Sequence, residues 1–426
     1  MKALIDRFKI FYRNNTIWVY LVRSILISIF LAIFVILIDS QMIPGKEMIP
    51  SFLLTSVGLA KLILSTLSGS LLTITTFTFS TIMVVLTTYS SNFSPRVVNN
   101  FLTDKTTMKV LGIFIGGFTY SILALFFMRN ALSEFYVLSA TIAVIYAIIC
   151  ILYFVVFVYR VSSSIQASKL INQIFEEAHL SIDEALEERE NQTNTDEYEI
   201  GRYAEQLSIK SDQSGYLELI DFDGLFRVIK KIDGKLILKE EVGNFVGKGH
   251  SIAVFYYNEE LDRKEILKEL LKNFEIADER LAYHDYRFSL QKIVDITLRS
   301  LSPGINDPNT AIHCINMLGV LLGRIGEIEG AHTILKKENY QSDIIYKSFH
   351  FTDDLYYSFH QIIHYGQNDL SILIAILKAL KNIKYASSVD KTAEINRYAN
   401  YVYDNSVINF SHEYDRKSLV KLKNSI

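Results

Sequence analysis

The sequence predicts an α-helical membrane protein with four transmembrane helices plus a cytosolic α+β region made of a helical stalk, a small barrel-sandwich-like β module and a helical bundle. Three observations carry that expectation. Residues 1–160 hold four long apolar runs, residues 161–426 hold most of the charge, and the hydrophobic period turns strand-like after Ser214 before returning to helix beyond Glu259. The 426 residues are half apolar and only 21% charged, with a mean hydropathy of +0.21. This composition excludes intrinsic disorder and low-complexity chains. A net charge of -3 argues against a nucleic-acid binder. Cys150 and Cys314 lie in unlike surroundings, which excludes a disulfide framework. The expected division is 1–160 membrane domain, 161–200 stalk, 201–258 β module and 259–426 helical domain.

A helix needs roughly 20 apolar residues to cross the hydrocarbon core. Ile17–Ile38 meets that, with Arg23 near its start beside Trp18 and Tyr20, where it serves as an interfacial anchor. In the second run Ser51–Thr66 reads as an approach helix at the outer interface and Leu67–Tyr89 as the span. Val110–Met128 and Phe135–Tyr159 complete a tight hairpin, with only Arg129 and Glu134 charged between them. Lys2, Arg7, Lys9 and Arg13, then Arg96, Lys105 and Lys109, then Arg160 and Lys169 lie on one side of the spans. Lys46, Lys61 and Arg129 lie on the other. The positive-inside rule puts both termini in the cytoplasm, and the long first run without a small-residue cleavage site argues against a cleaved signal peptide.

The second span is rich in hydroxyls. Thr73, Thr76, Ser80, Thr87 and Ser91 fall near one stripe at helical spacing. They either line a water-filled path or hydrogen-bond to neighbouring helices. No acidic or basic residue lies inside spans two to four, which argues against a proton-coupled pump. Gly112 and Gly116 in span three have the spacing that lets helices approach closely. Ser94, Pro95 and Arg96 end span two, where Arg96 meets either lipid phosphates or a carboxylate of the cytosolic region.

In the second half, Ser162–Asn191 reads as a helix continuing from span four, with Ile165, Leu170, Ile174, Ala178, Ile182 and Leu186 at helical spacing. Gly215–Ile220, Phe226–Ile229, Leu236–Leu238 and Ile252–Tyr256 read as short strands. The run from Glu241 to Ile252 resembles the glycine-punctuated turn of barrel-sandwich carrier modules. Lys235 lacks the flank of a modified lysine, so a structural role is expected. Ile276–Leu301 reads as one amphipathic helix with Asp295 and Arg299 spaced i, i+4. Pro303-Gly304 stops it, and Asp307 with Pro308 starts the next. Further helices are expected over Pro308–Arg324, Asp353–Tyr365, Leu370–Asn382 and Ala393–Asn405.

Ser94-Pro95-Arg96, Gly215-Tyr216, Gly243-x-Phe245-Val246-x-x-Gly249 and the run Ser302-Pro303-Gly304-Ile305-Asn306-Asp307-Pro308 occur in an order that resembles the bacterial membrane protein family of domain of unknown function 2254. The resemblance runs from about Ile10 to Leu380 and includes Asp285, Asp295 and Arg299. It implies a bacterial inner-membrane location and carries no established activity.

Asp285, Asp295, Arg299, Asn306 and Asp307 form either a helix-junction network of caps and ion pairs or a ligand site. Ser302 is the one nucleophile candidate, held in a helix-ending turn. His360 and His364 share a helical face without a third ligand or an adjacent glutamate base. No nucleotide loop or CxxC pair is present, so neither an enzyme nor a cofactor is expected. The expectation is a homo-oligomeric channel with span two lining the path and the cytosolic part assembling or gating it. The alternative is a non-conducting scaffold or sensor that binds a partner or small ligand. Lipid, ions, a cytosolic protein and further copies of the chain are the expected partners, and nucleic acid is not.

Overall fold

A computed structural model of the chain describes residues 16–43, 49–92, 96–97, 105–128, 136–164, 166–280, 285–338 and 340–426. Ser94, Pro95, Ile165, Tyr283 and His284, and the basic residues Lys2, Arg7, Lys9, Arg13, Lys46 and Arg129, lie outside the described residues. The chain divides into two compact units that meet in sequence at Ala167 and Ser168.

Among the described residues the first unit contains four helices long and apolar enough to cross a membrane: α1 Thr16–Asp39, α2 Val57–Asn92, α3 Lys105–Phe127 and α4 Ser139–Ser164. Helix α3 packs against the other three and is the most buried of them. Its glycines allow this. A Cβ on Gly112 would meet Ser24 Oγ of α1 at 2.7 Å, and one on Gly116 would meet Ser28 Oγ and Tyr146 Oη at 2.6 Å. The glycine spacing read from the sequence is thus a seam inside the chain, where small residues let backbones approach. Helix α4 turns Ile145, Ile148, Leu152 and Val155 outward and buries Cys150, as its aliphatic composition predicts. Arg23 is exposed, and its guanidinium lies over the Tyr20 ring at 5.1 Å.

The approach helix expected over Ser51–Thr66 does not form separately. Only Ser51–Leu53 makes a short 3-10 turn, and α2 runs unbroken for 36 residues, about 54 Å at 1.5 Å per residue. The physical reason is packing: Val57, Ala60 and Leu64 join Ala32, Val35, Tyr120 and Ala124 in one core, so the first turns of α2 are already inside the bundle. Beside them β1 (Thr55–Ser56) pairs with β2 (Tyr136–Val137). Asp39, at the end of α1, is buried there. Its Oδ1 accepts from Leu138 N at 2.7 Å and its Oδ2 from Ser139 N at 3.1 Å, and Ser139 Oγ also donates to it. The first span therefore caps the start of the fourth helix across 100 residues of sequence.

The second unit begins with α5 (Ala167–Arg189), a helix distinct from α4. It is not a separate stalk. Ile171, Ile174, Ala178 and Ile182 are buried in this unit, and Glu177 pairs with Lys292 at 3.7 Å. The strands are β3 Thr193–Thr195, β4 Glu205–Lys210, β5 Gly215–Ile220, β6 Gly234–Leu238, β7 Phe245–Val246, β8 Ser251–Tyr257, β9 Phe274–Ala277, β10 His332–Leu335 and β11 Ser342–Lys347. One sheet has the order β3-β10-β11-β6-β8-β4 and the other β7-β5-β9. All pairings are antiparallel except β11 with β6, where Ile344 faces Leu236.

This corrects the expected all-β module of 201–258. Its strands β4, β6 and β8 share a sheet with β10 and β11, and β5 and β7 share one with β9; β9, β10 and β11 lie within the stretch expected to be a helical domain. Phe226–Ile229 is helix, not strand: α6 runs Phe222–Ile229, capped by Asp221, whose Oδ1 accepts from Gly224 N at 2.8 Å. Asp223 and Gly224 lie in the first turn of that helix. Helix α7 (Arg263–Leu271) follows, and then β9 (Phe274–Ala277) takes Ile276 and Ala277 from the helix expected over Ile276–Leu301. The observed helix is α8, Tyr286–Ser300. The remaining helices match expectation within a few residues: α9 Pro308–Gly326, α10 Phe351–Gly366, α11 Leu370–Ala386 and α12 Thr392–Ser406, followed by α13 Glu413–Lys423. Leu217, Phe226, Leu236, Ile252, Phe255 and Ile344 form the core of the sheet region.

Candidate functional site

Two places concentrate polar groups. The first is α2. Thr73, Thr76, Ser80, Thr87 and Ser91 are all exposed on the four-helix unit. At 100° per residue they fall within about 60° of one another, and Thr73 to Ser91 spans about 27 Å. Thr73 Oγ1 donates to Gly69 O at 3.0 Å, Thr76 Oγ1 to Leu72 O at 3.0 Å and Thr87 Oγ1 to Met83 O at 2.9 Å. Ser91 Oγ donates to Thr88 O at 3.2 Å. Each of these donors is spent on a carbonyl of its own helix, so the oxygen lone pairs face outward. Exposed and locally bonded, these three threonines do not serve to join α2 to α1, α3 or α4.

The second place is a cavity of about 340 Å³ inside the second unit. Its wall comes from α5, the β5–α6 turn, the segment after β6, the start of α8 and the end of β11. Apolar side chains such as Leu219, Ile220, Phe222 and Leu238 share that wall with six carboxylates and with Arg287 and Lys347. Asp285, only 3% exposed, caps α8 by accepting from Phe288 N at 3.0 Å. Arg280 grips it from the other side, Nε to Oδ2 at 2.7 Å and Nη2 to Oδ1 at 3.1 Å. Gly243 is required here. Its φ is +91°, and a Cβ would sit 2.0 Å from Asp285 Oδ2.

Behind the wall lies a buried charge network. Arg287 Nε donates to Asp354 Oδ1 at 2.8 Å, and its Nη1 donates to Glu241 Oε2 at 3.2 Å. Tyr286 Oη donates to Asp354 Oδ2 at 2.7 Å, and His350 Nε2 bonds to Glu241 Oε1. Burial pushes the Asp354 carboxyl above the usual range, and the Arg287 guanidinium pulls against it. Burial also raises Tyr286 well above an ordinary phenol, with Asp354 adding to it. For Arg287, burial disfavours the charge, but the anionic neighbours more than offset it and the net direction is upward.

Against protein-family models, residues 14–382 match the predicted membrane protein family DUF2254, domain of unknown function 2254. The chain belongs to this family. Among curated proteins, the DUF2254 chain is 26% identical over 270 residues to an uncharacterised protein of Mycobacterium bovis. It matches uncharacterised proteins from two strains of Mycobacterium tuberculosis at the same identity and length. The alignment covers 62% of this chain and 52% of each relative, so it spans about half the length of the curated relatives it matches. No solved structure matches.

In this DUF2254 member the five residues read as one polar cluster do not assemble. Asp285 stands at the first turn of α8, while Asn306 and Asp307 follow its last turn, a 15-residue helix or about 22 Å away. Asp295 is half-buried within α8 and Arg299 is exposed near its end, and neither lines the cavity. Asp307 caps α9, accepting from Thr310 N at 3.1 Å and Thr310 Oγ1 at 2.6 Å. Those hydrogen bonds hold its carboxyl below the usual range. Asn306 supplies the left-handed turn at φ +49°. Ser302 Oγ donates to Arg299 O at 2.6 Å, which ties it into the same turn. His360 stacks on Tyr356 at 4.7 Å, and His364 is exposed. Among the described residues no group of three or more His, Cys, Asp or Glu could hold a metal. Arg96 is exposed.

The residues that the sequence reading missed are Asp39, Asp354, Glu241 and Arg189. Arg189 is buried at the end of α5, where its Nη2 donates to Glu329 O and Gly330 O at 2.6 Å and Nη1 to Ser348 Oγ. Its sequence signal is that of any cation in a last helical turn. Asp353-Asp354 likewise looks like ordinary acidic residues in a first turn.

Proposed function

We propose that this protein is a homo-oligomeric, cation-selective channel of a bacterial inner membrane, with both termini cytoplasmic and the α2 hydroxyl stripe lining a path between copies. The observation that carries the reading is the stripe itself: narrow, exposed on the single chain, and about as long as the roughly 30 Å hydrocarbon core. A lipid-facing helix has no use for such a row, whereas a path between copies of α2 does. The preference for cations follows from donor use. Hydroxyls that donate to Leu72 O and Met83 O leave only acceptors to replace a hydration shell. The basic residues on the N-terminal side of the spans support the orientation.

The test is ion flux from liposomes carrying purified protein, alongside a Thr76→Val, Ser80→Val variant. We expect potassium flux well above chloride flux, and a several-fold reduction in the variant at unchanged protein stability. A protein that stays monomeric in mild detergent at every concentration would overturn the reading. So would flux that is indifferent to the substitutions.

A further inference from the structure

The hydroxyl row of α2 is interrupted once. Thr76 follows Thr73 by three residues, Ser80 follows Thr76 by four, and Ser91 follows Thr87 by four. From Ser80 to Thr87 the step is seven residues, about 10 Å of helix at 1.5 Å per residue. Helical spacing puts the missing member of the row at 83 or 84, and Met83 and Val84 occupy those positions. We propose that these two side chains form a hydrophobic gate, an apolar belt contributed by each copy that stops ions by shedding water. The gate rests on the reading of α2 as the wall of a path and adds the means by which that path closes.

Both side chains are open on their own unit, Met83 at 48% exposure and Val84 at 65%. Leu64, Leu71 and Ile82 are buried on the other side of α2, about 140–160° around the helix from Val84. Leu71 marks that side as the seam with α3, since a Cβ on Gly117 would meet its Cδ1 at 3.2 Å. At 100° per residue Val84 lies about 20° beyond Thr73 and Ser91, and Met83 about 20° beyond Thr76 at the opposite edge of the row. The pair therefore brackets the row at one level. Phe77, the other bulky residue beside the row, leans on Phe154 of α4 with ring centroids 6.4 Å apart, which keeps it against its own chain.

The chemistry of the row changes at this level. Thr76 and Thr87 donate to Leu72 O and Met83 O, which leaves oxygen lone pairs for water or a cation. A valine side chain offers no polar atom, and a thioether is only a weak acceptor. An ion at the belt must keep its water shell or lose it without replacement, which is unfavourable. Where copies of α2 approach closely, water leaves the belt and passage stops; a small separation readmits it. The threonines bond within their own helix, so such a displacement of α2 breaks none of their hydrogen bonds.

The experiment measures potassium flux from liposomes carrying the full chain. Met83→Gln combined with Val84→Thr replaces both apolar side chains by polar ones of near-equal size on an exposed face. Flux should rise about tenfold, with the preference over chloride kept. Val84→Phe enlarges the belt and should cut flux several-fold. Val155→Thr, on the exposed face of α4, makes the same chemical change away from the path and should alter nothing. A native protein that is silent while the double variant conducts would also bear the gate out. Flux that falls in Thr76→Val, Ser80→Val yet stays level in the double variant would overturn the gate and leave the path standing. Silence of the native protein and the double variant alike would remove both. A rise in Val155→Thr equal to that of the double variant would overturn the gate, because polarity anywhere on the surface would then suffice.

Discussion

The two units of this chain both satisfy polar groups by hydrogen bonding, and they do so over different distances. In the four-helix unit the α2 hydroxyls bond one turn back along their own helix, as Thr76 does to Leu72 and Thr87 to Met83. In the second unit buried charges reach across sequence: Arg287 to Asp354, 67 residues away, and Arg189 to Gly330, 141 away. Local satisfaction asks nothing of the fold, so α2 remains a helix whatever surrounds it. Long-range satisfaction works only when several elements dock in one arrangement, so the same bonds that neutralise the charges also specify that arrangement. The first unit has long-range bonds as well: Asp39 fastens α1 to the start of α4, Ser28 bonds Tyr146 at 3.2 Å, and Thr141 Oγ1 donates to Leu53 O at 2.6 Å.

The contrast is breakable by mutation, with the largest effect expected in the long-range network. Asp354→Ala strands Arg287 and Tyr286 in a buried site, and removing one partner of a buried pair costs about 3–5 kcal/mol. Limited proteolysis with heating should show the second unit unfolding at clearly lower temperature while the four-helix unit keeps its protease resistance. Equal loss from both units would mean that the network is not confined to one.

Asp39→Ala should come next, because it leaves the Leu138 and Ser139 amides without their acceptor. Loss of a helix N-cap costs about 2 kcal/mol at the upper end of the known range, and burial puts Asp39 there. Unfolding in mixed detergent micelles should reveal it, with Asp39→Asn retaining part of the stability. No change on Asp39→Ala would show that the cap is satisfied in another way.

The smallest effect belongs to a local cap. Asp307→Ala should cost about 1 kcal/mol, and its pH dependence has a definite sign. The Thr310 hydrogen bonds lower the folded carboxyl below its unfolded value of about 3.9. Its stabilisation is therefore present above that value and is lost as pH falls through the lower folded value. The stability gap between the native protein and Asp307→Asn, measured by denaturant titration, should be constant above about pH 5 and close below pH 4. A gap that persists in acid would mean that Asp307 acts through something other than its charge.

The membrane helices and the later helices of the second unit were legible because each announces itself locally, by apolar length in Trp18–Asp39 and by caps such as Asp307-Pro308. The errors fell where a segment's state depends on distant partners. Phe226–Ile229 has a strand-like run of apolar residues, yet its Asp221 cap and its contacts in the sheet core make it helix. Phe274–Ala277 fits either state until it pairs with β5. The candidate cluster around Asp285 and Asp307 looked continuous because its members lie within or beside one helix, and a helix of 15 residues carries its ends apart.

By itself the sequence determined the four apolar helices, the hydroxyl stripe on α2, the close-approach glycines of α3 and the family to which the chain belongs, since hydrophobic period, small-residue spacing and motif order are properties of the chain. Only the tertiary structure decided that β6 lies beside β11, that Asp39 caps α4, and that Ser181, Glu241, Asp285 and Arg287 meet around one cavity. Those pairings join residues far apart in sequence, and the energy that selects them exists only once the core has brought them within hydrogen-bond reach.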